Sequence, residues 1–173
     1  MRNTRHENLA EHSHETAVLA HALALIGNTY FNKAYNSERA AVLALFHDAN
    51  EIMTGDMPTP VKYFGSDIVK AYKNIENAAN KRIIGFLPPE TADNYKSILN
   101  PDKSEAEYSL IKAADKLSAL IKCIEEKKAG NSEFDEAYKS IEAALIGMNS
   151  DEVNWFMENC IGGYSEPIDL TVK

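Results

Sequence analysis

The sequence predicts an all-α fold, a single-domain bundle of about six to seven helices, on three observations. Apolar residues recur at helical spacing through almost the whole chain. No run of alternating β-branched residues reads as a strand. At 173 residues, with 45% hydrophobic and 25% charged side chains, residues 1–173 supply one core but not two. The same composition points away from disorder and from a membrane protein.

The first helix is expected from Asn8 to Ile26, with the face through His12, Thr16, Leu19, Leu23 and Ile26 turned inward. A second stripe through His14, Val18, His21 and Leu25 is nearly as apolar, so periodicity leaves the choice of buried histidine open. The run "AVLAHALALIG" imitates the apolar part of a signal peptide. Glu7, Glu11 and Glu15 nevertheless stand where a basic leader belongs, and the run is too short to span a bilayer.

Asn36 or Ser37 caps a second helix that reaches about Glu51, and its middle, "AAVLALF", is apolar all round, which marks a central helix. Gly55, Pro58 and Pro60 stop it. A third helix runs from about Ser66 to Gly85, and a short fourth follows Pro88. Ser104 and Glu107 form a capping box opening a fifth helix to about Lys127, with a core stripe of Leu110, Ala113, Leu117, Leu120 and Ile124. Ser132 opens a sixth to near Ile146, and Ser150 a last short one holding Trp155 and Phe156.

A net charge of −8 argues against sequence-independent binding to a nucleic acid polymer, which depends on Lys and Arg displacing phosphate counterions. A small anionic substrate needs local positive charge in that field, and a metal ion is the most compact source. Cys123 and Cys160 are far apart and form no CxxC pair, which fits reduced thiols in a cytoplasmic protein.

Chemistry concentrates in "LFHDANEIMTGDMPTP", residues 45 to 60, where an apolar helix runs into His47, Asp48 and Glu51. Adjacent residues on an ideal helix diverge by about 100°, so His47 and Asp48 share an ion only near a helix end or bend. Glu51, four positions after His47, reaches a water held nearby. Further ligands must come from other helices, and His12, His14, His21 and Asp115 are the candidates. Asp115 lies in the apolar "LIKAADKLSAL". On residues alone, an ion pair with Lys112 or Lys116 stands slightly ahead of metal ligation.

The order of an early His, a His-Asp pair and a late Asp, each on its own helix, resembles the HD-domain metal-dependent phosphohydrolases. The stretches "RNTRHENLAEHS", "FHDANEIMTGDMPTPVKYF" and "LIKAADKLSALIKCIEE" look like the bacterial 5′-deoxynucleotidases of that superfamily, over essentially the whole chain. The resemblance implies the HD-domain fold and hydrolysis of deoxyribonucleoside 5′-monophosphates to deoxyribonucleoside and phosphate. It implies His12, His47, Asp48 and Asp115 as metal ligands, and so favours His12 over His14. Glu51 becomes the catalytic acid or base. Asp56, Met57, Pro58 and Thr59, with His12 and Asp48, become the substrate contacts.

One divalent transition metal ion (cobalt, manganese, zinc or similar) and a homodimer are further implications of the resemblance. Lys62 is a candidate phosphate contact, with an ordinary solvated lysine as the plainer reading. Relatives also carry a segment before "MRNTRHEN", with an arginine and an aromatic residue that hold the nucleotide. This chain is expected to lack that segment, which puts deoxyribose-versus-ribose selectivity in question. Other HD reactions, on a cyclic nucleotide or a guanosine tetraphosphate alarmone, and a metal-containing nucleotide-binding module are the alternatives.

Overall fold

The computed structural model describes residues 3–57, 61 and 64–166. Among them are eight α-helices and no strand: α1 (Leu9–Tyr30), α2 (Ser37–Leu45), α3 (Glu51–Thr54), α4 (Ser66–Ile84), α5 (Pro89–Leu99), α6 (Ala106–Lys128), α7 (Asp135–Ile146) and α8 (Asp151–Asn159). Short 3₁₀ turns at Ser132–Phe134 and Ile161–Ser165 complete the described elements. The all-α, single-domain expectation holds.

Local signals explain most of the boundaries. Asn8 caps α1 in a complete capping box, its side chain accepting from the amides of Ala10 and Glu11 while Glu11 accepts from its own. Asn36 caps α2 through the amide of Arg39, and Ser150 caps α8 through that of Val153. At the end of α3, Gly55 adopts φ 68°, a conformation that disfavours a side chain, and the chain turns away.

The core lies where α1 and α6 pack against each other and against α2, with α8 closing the far side of α1 and α7 covering α6. Leu23, Leu43, Leu117, Leu120, Leu145 and Val153 are fully buried, each contributing about 1.5–3 kcal/mol by leaving water. On α1 the stripe through Thr16, Leu19, Leu23 and Ile26 faces inward, whereas Val18 and Leu25 are exposed. The open choice of register is thereby resolved towards the His12 face.

Two expectations need correction. The second helix is not the central one: α2 buries Ala40, Leu43 and Ala44 on one side and leaves Val42 and Leu45 exposed. It also ends at Leu45, and residues 46–50 continue as tight turns with i to i−3 bonds such as Ala49 N–H to Phe46 O. The Ser104–Glu107 capping box does not form. Glu107 instead accepts from the Asn36 amide at 2.7 Å, and neighbouring Glu105 is drawn into a two-pronged pair with Arg39.

Gly27 shows how tightly α1 meets α8. A Cβ there would stand 2.7 Å from the Tyr35 ring and 3.0 Å from Glu152 Cγ. Tyr35 donates to the buried Glu152 carboxylate, and burial together with that carboxylate pushes its phenol up to about 12. Gly27→Ala must displace this pair. It is expected to cost about 1–3 kcal/mol, read as a lower thermal unfolding midpoint.

Candidate metal centre and catalytic site

The turn after α2 is what makes an adjacent His-Asp pair usable. Because residues 46–50 wind more tightly than an α-helix, His47 and Asp48 project to one place, with His47 Nε2 3.0 Å from Asp48 Oδ2. From α1, His12 Nε2 comes within 3.7 Å of that oxygen and 3.4 Å of Asp115 Oδ1 on α6. His47 Nε2 lies 3.8 Å from the same Asp115 oxygen. Two imidazoles and two carboxylates from three parts of the fold therefore converge, the imidazole centroids 5.3 Å apart.

The orientation of His47 is fixed from behind, its Nδ1 lying 2.7 Å from the Ala44 carbonyl. In the neutral ring that contact places the proton on Nδ1 and the lone pair on Nε2, facing the carboxylates. His47 Nε2 is buried, and no approach to it is directed well enough to be a hydrogen bond among the described residues. A buried nitrogen aimed at carboxylates without a proper partner is costly, and a cation between them removes the cost. Ligand atoms of His12, His47 and Asp115 all lie within 4.8 Å of one another, so the cluster fits a metal ion.

Without metal, protons take that role. Burial alone would lower the His47 imidazole, but Asp115 and Asp48 outweigh it and bring it up to about 10. Asp115 chiefly raises His12 as well, against burial and the neighbouring His47. Burial would raise Asp115 itself, yet the two imidazoles hold it well below the usual carboxylate range.

A second layer, absent from the sequence reading, orients His12. Ser118 Oγ stands 3.4 Å and Glu7 Oε1 3.6 Å from its Nδ1. Ser118 in turn donates to Glu15 at 2.8 Å, and Lys122 pairs with Glu7. The segment carrying Glu7 is tied down upstream, where Thr4 donates its amide and hydroxyl to the buried Glu126 carboxylate. The available signal was the position of Ser118, three residues after Asp115 and on the same face of α6.

Glu51 opens α3, its amide bonded to the Asp48 carbonyl at 2.9 Å. With Asp56 it lines a cavity of about 590 Å³ that reaches His12, Asp48 and Asp115. Met57 follows Asp56, half-buried, and is not among the residues lining that cavity. Pro58, Thr59 and Lys62 lie outside the described residues. His14 is exposed in a separate groove with Glu11 and Glu125, and His21 lies about two and a half turns beyond His12. The ion pair considered for Asp115 gives way to the histidines: Lys112 instead sits over the Tyr108 ring, 5.1 Å from its centroid.

The chain is similar to known proteins in sequence and in fold. The pattern of the YfbR-like 5′-deoxynucleotidases matches residues 1–164. A 5′-deoxynucleotidase of Photorhabdus temperata is 45% identical over 170 residues, 98% of this chain and 86% of the relative. The 5′-deoxynucleotidase YfbR of Escherichia coli O127:H6 is also 45% identical, over 98% of this chain and 85% of its own length. Among solved structures, an HD-domain phosphohydrolase from Listeria innocua superposes with a TM-score of 0.83 at 24% identity, covering 94% of this chain and 79% of that one. The PH0347 protein of Pyrococcus horikoshii shares the fold at TM-score 0.63 and 22% identity, over 94% of this chain and 84% of that one. With its all-α bundle sharing the fold of an HD-domain protein and the family pattern matching residues 1–164, the chain belongs to the YfbR-like 5′-deoxynucleotidase family.

Proposed function

We propose that this protein hydrolyses deoxyribonucleoside 5′-monophosphates, with His12, His47, Asp48 and Asp115 holding one divalent transition metal ion and Glu51 moving the proton. The observation that carries the reading is the convergence of the four side chains, with buried His47 Nε2 facing the carboxylates, beside the cavity that Glu51 and Asp56 line together with His12, Asp48 and Asp115. When bound, the ion supplies Lewis acidity and positive charge for the phosphoryl oxygens. The remaining work falls to the chain itself.

Glu51 takes a proton from the attacking water as the new P–O bond forms, or returns one to the sugar O5′ as the old bond breaks. Asp56, which lines the cavity, offers a polar group to the sugar hydroxyl in this reading. Glu7 and Ser118 keep His12 in one ring orientation. We also place the protein in the cytoplasm as a homodimer. Both cysteines are free, and among the described residues no helix is long and apolar enough to cross a membrane.

Phosphate release from a panel of deoxynucleoside and ribonucleoside monophosphates tests the activity. Release is expected to stop with a chelator and to return with cobalt, manganese or zinc. Tight nucleotide binding without turnover in any of these metals would instead support a binding module. A preference for a cyclic nucleotide or an alarmone would favour the other HD reactions.

A further inference from the structure

Asp48 and Asp115 line two cavities of different charge balance. On the His12 side, the 590 Å³ cavity gathers five carboxylates, from Glu7, Asp48, Glu51, Asp56 and Asp115, and among the described residues a single lysine, Lys122, which is already paired with Glu7. A second cavity, of about 440 Å³, also reaches Asp48 and Asp115, together with His47 and Glu76. Into it come Lys73 from α4, Lys103 from the α5–α6 connection and Lys112 from α6. In a chain of net charge −8, three lysines from three separate segments converge on this second cavity.

These lysines are available to a ligand. Neither Lys73 nor Lys103 is ion-paired among the described residues, and Lys112 rests on the Tyr108 ring at the same cavity. Asn80 adds an independent sign. It lines the cavity at 6% exposure, and its amide nitrogen is committed to the Leu99 carbonyl and the Asn100 side chain, while its Oδ1 has no partner. A buried acceptor of this kind suits the one protonated oxygen that free monohydrogen phosphate keeps near neutral pH.

We propose that the Lys73–Lys103–Lys112 cavity is an oxyanion subsite for the phosphate group, so that phosphate lies on the His47 side of the cluster and the nucleoside on the Glu51–Asp56 side. The inference rests on the phosphomonoesterase reading. With five carboxylates and one described lysine on one side, and three lysines facing Asp48, Glu76 and Asp115 on the other, a dianion takes the second. The ligand is either the phosphoryl group of the substrate or free phosphate after cleavage.

The test uses the metal-loaded protein with inorganic phosphate as the probe, in wild type, Lys73→Ala/Lys112→Ala and Lys73→Glu/Lys112→Glu. All substituted residues are exposed, so the fold is not at stake. Phosphate affinity by calorimetry, and its inhibition constant against a deoxynucleoside monophosphate, are expected to weaken by about tenfold or more in the double variants. A parallel rise in KM places the substrate's phosphoryl group in the cavity. An unchanged KM assigns the cavity to released phosphate. Phosphate affinity within about twofold of wild type in both variants overturns the subsite. Lysine-dependent phosphate binding by a protein without turnover would overturn the activity and keep the subsite; full turnover with unaltered phosphate binding would do the reverse.

Discussion

Glu51→Gln is expected to lower kcat for deoxynucleoside monophosphate hydrolysis by about 10²–10⁴-fold while leaving fold and metal content unchanged. Glutamine keeps the length and the polar end of the side chain but cannot take a proton from water. The substitution therefore removes the chemistry and little else. Glu51 is half-exposed at the start of α3, outside the four-residue cluster, and the α3 backbone bond to the Asp48 carbonyl does not depend on its side chain. Steady-state kinetics with elemental analysis of the purified variant checks this. An unchanged kcat would remove Glu51 from the reaction, and loss of metal along with activity would make it a ligand instead.

How much of this was legible in the sequence depends on how local each signal is. Asn8, Asn36 and Ser150 act on amides two or three residues away, so the helix starts that they cap could be read directly. Ser104 and Glu107 carry an equally good local pattern, which lost to long-range competitors. Arg39 claims Glu105, and the Asn36 amide claims Glu107, across 66 and 71 residues of chain. The His-Asp pair was legible as chemistry, but its geometry was not: the tight turns that bring His47 and Asp48 together begin at Phe46, earlier than any glycine or proline signals.

The choice among His12, His14 and His21 needed the tertiary register of α1, which packing settles by exposing Val18 and Leu25. Lys73, Lys103 and Lys112 could not be grouped beforehand at all. No periodicity links a residue in α4, one in a connection and one in α6; the fold alone places them around one cavity.

Removing the metal is expected to reverse how stability depends on pH. In the metal-free protein the folded His47 imidazole titrates near 10 against an ordinary value of 6.5, and His12 is raised as well. Folded protein thus keeps protons that the unfolded chain has lost. This stabilisation is fully present below about pH 6.5 and is lost as pH rises towards 10. Asp115, shifted the other way, adds stability above the ordinary carboxylate range and loses it only in acid. Because the four groups titrate as one unit, the histidine contribution is on the order of 1–3 kcal/mol rather than a sum of separate shifts. At about 2–4 °C per kcal/mol for a chain of this size, the chelated protein should lose several degrees of unfolding midpoint between these two pH values. A metal ion needs both imidazoles neutral, so its binding expels those protons and tightens over the same interval. The gap between metal-loaded and chelated midpoints is therefore expected to widen steadily from pH 6.5 to 10, with proton release measurable by calorimetry in buffers of different ionisation enthalpy. A constant gap without proton release would mean that His12 and His47 do not exchange protons for metal, and would remove them from the ligand set.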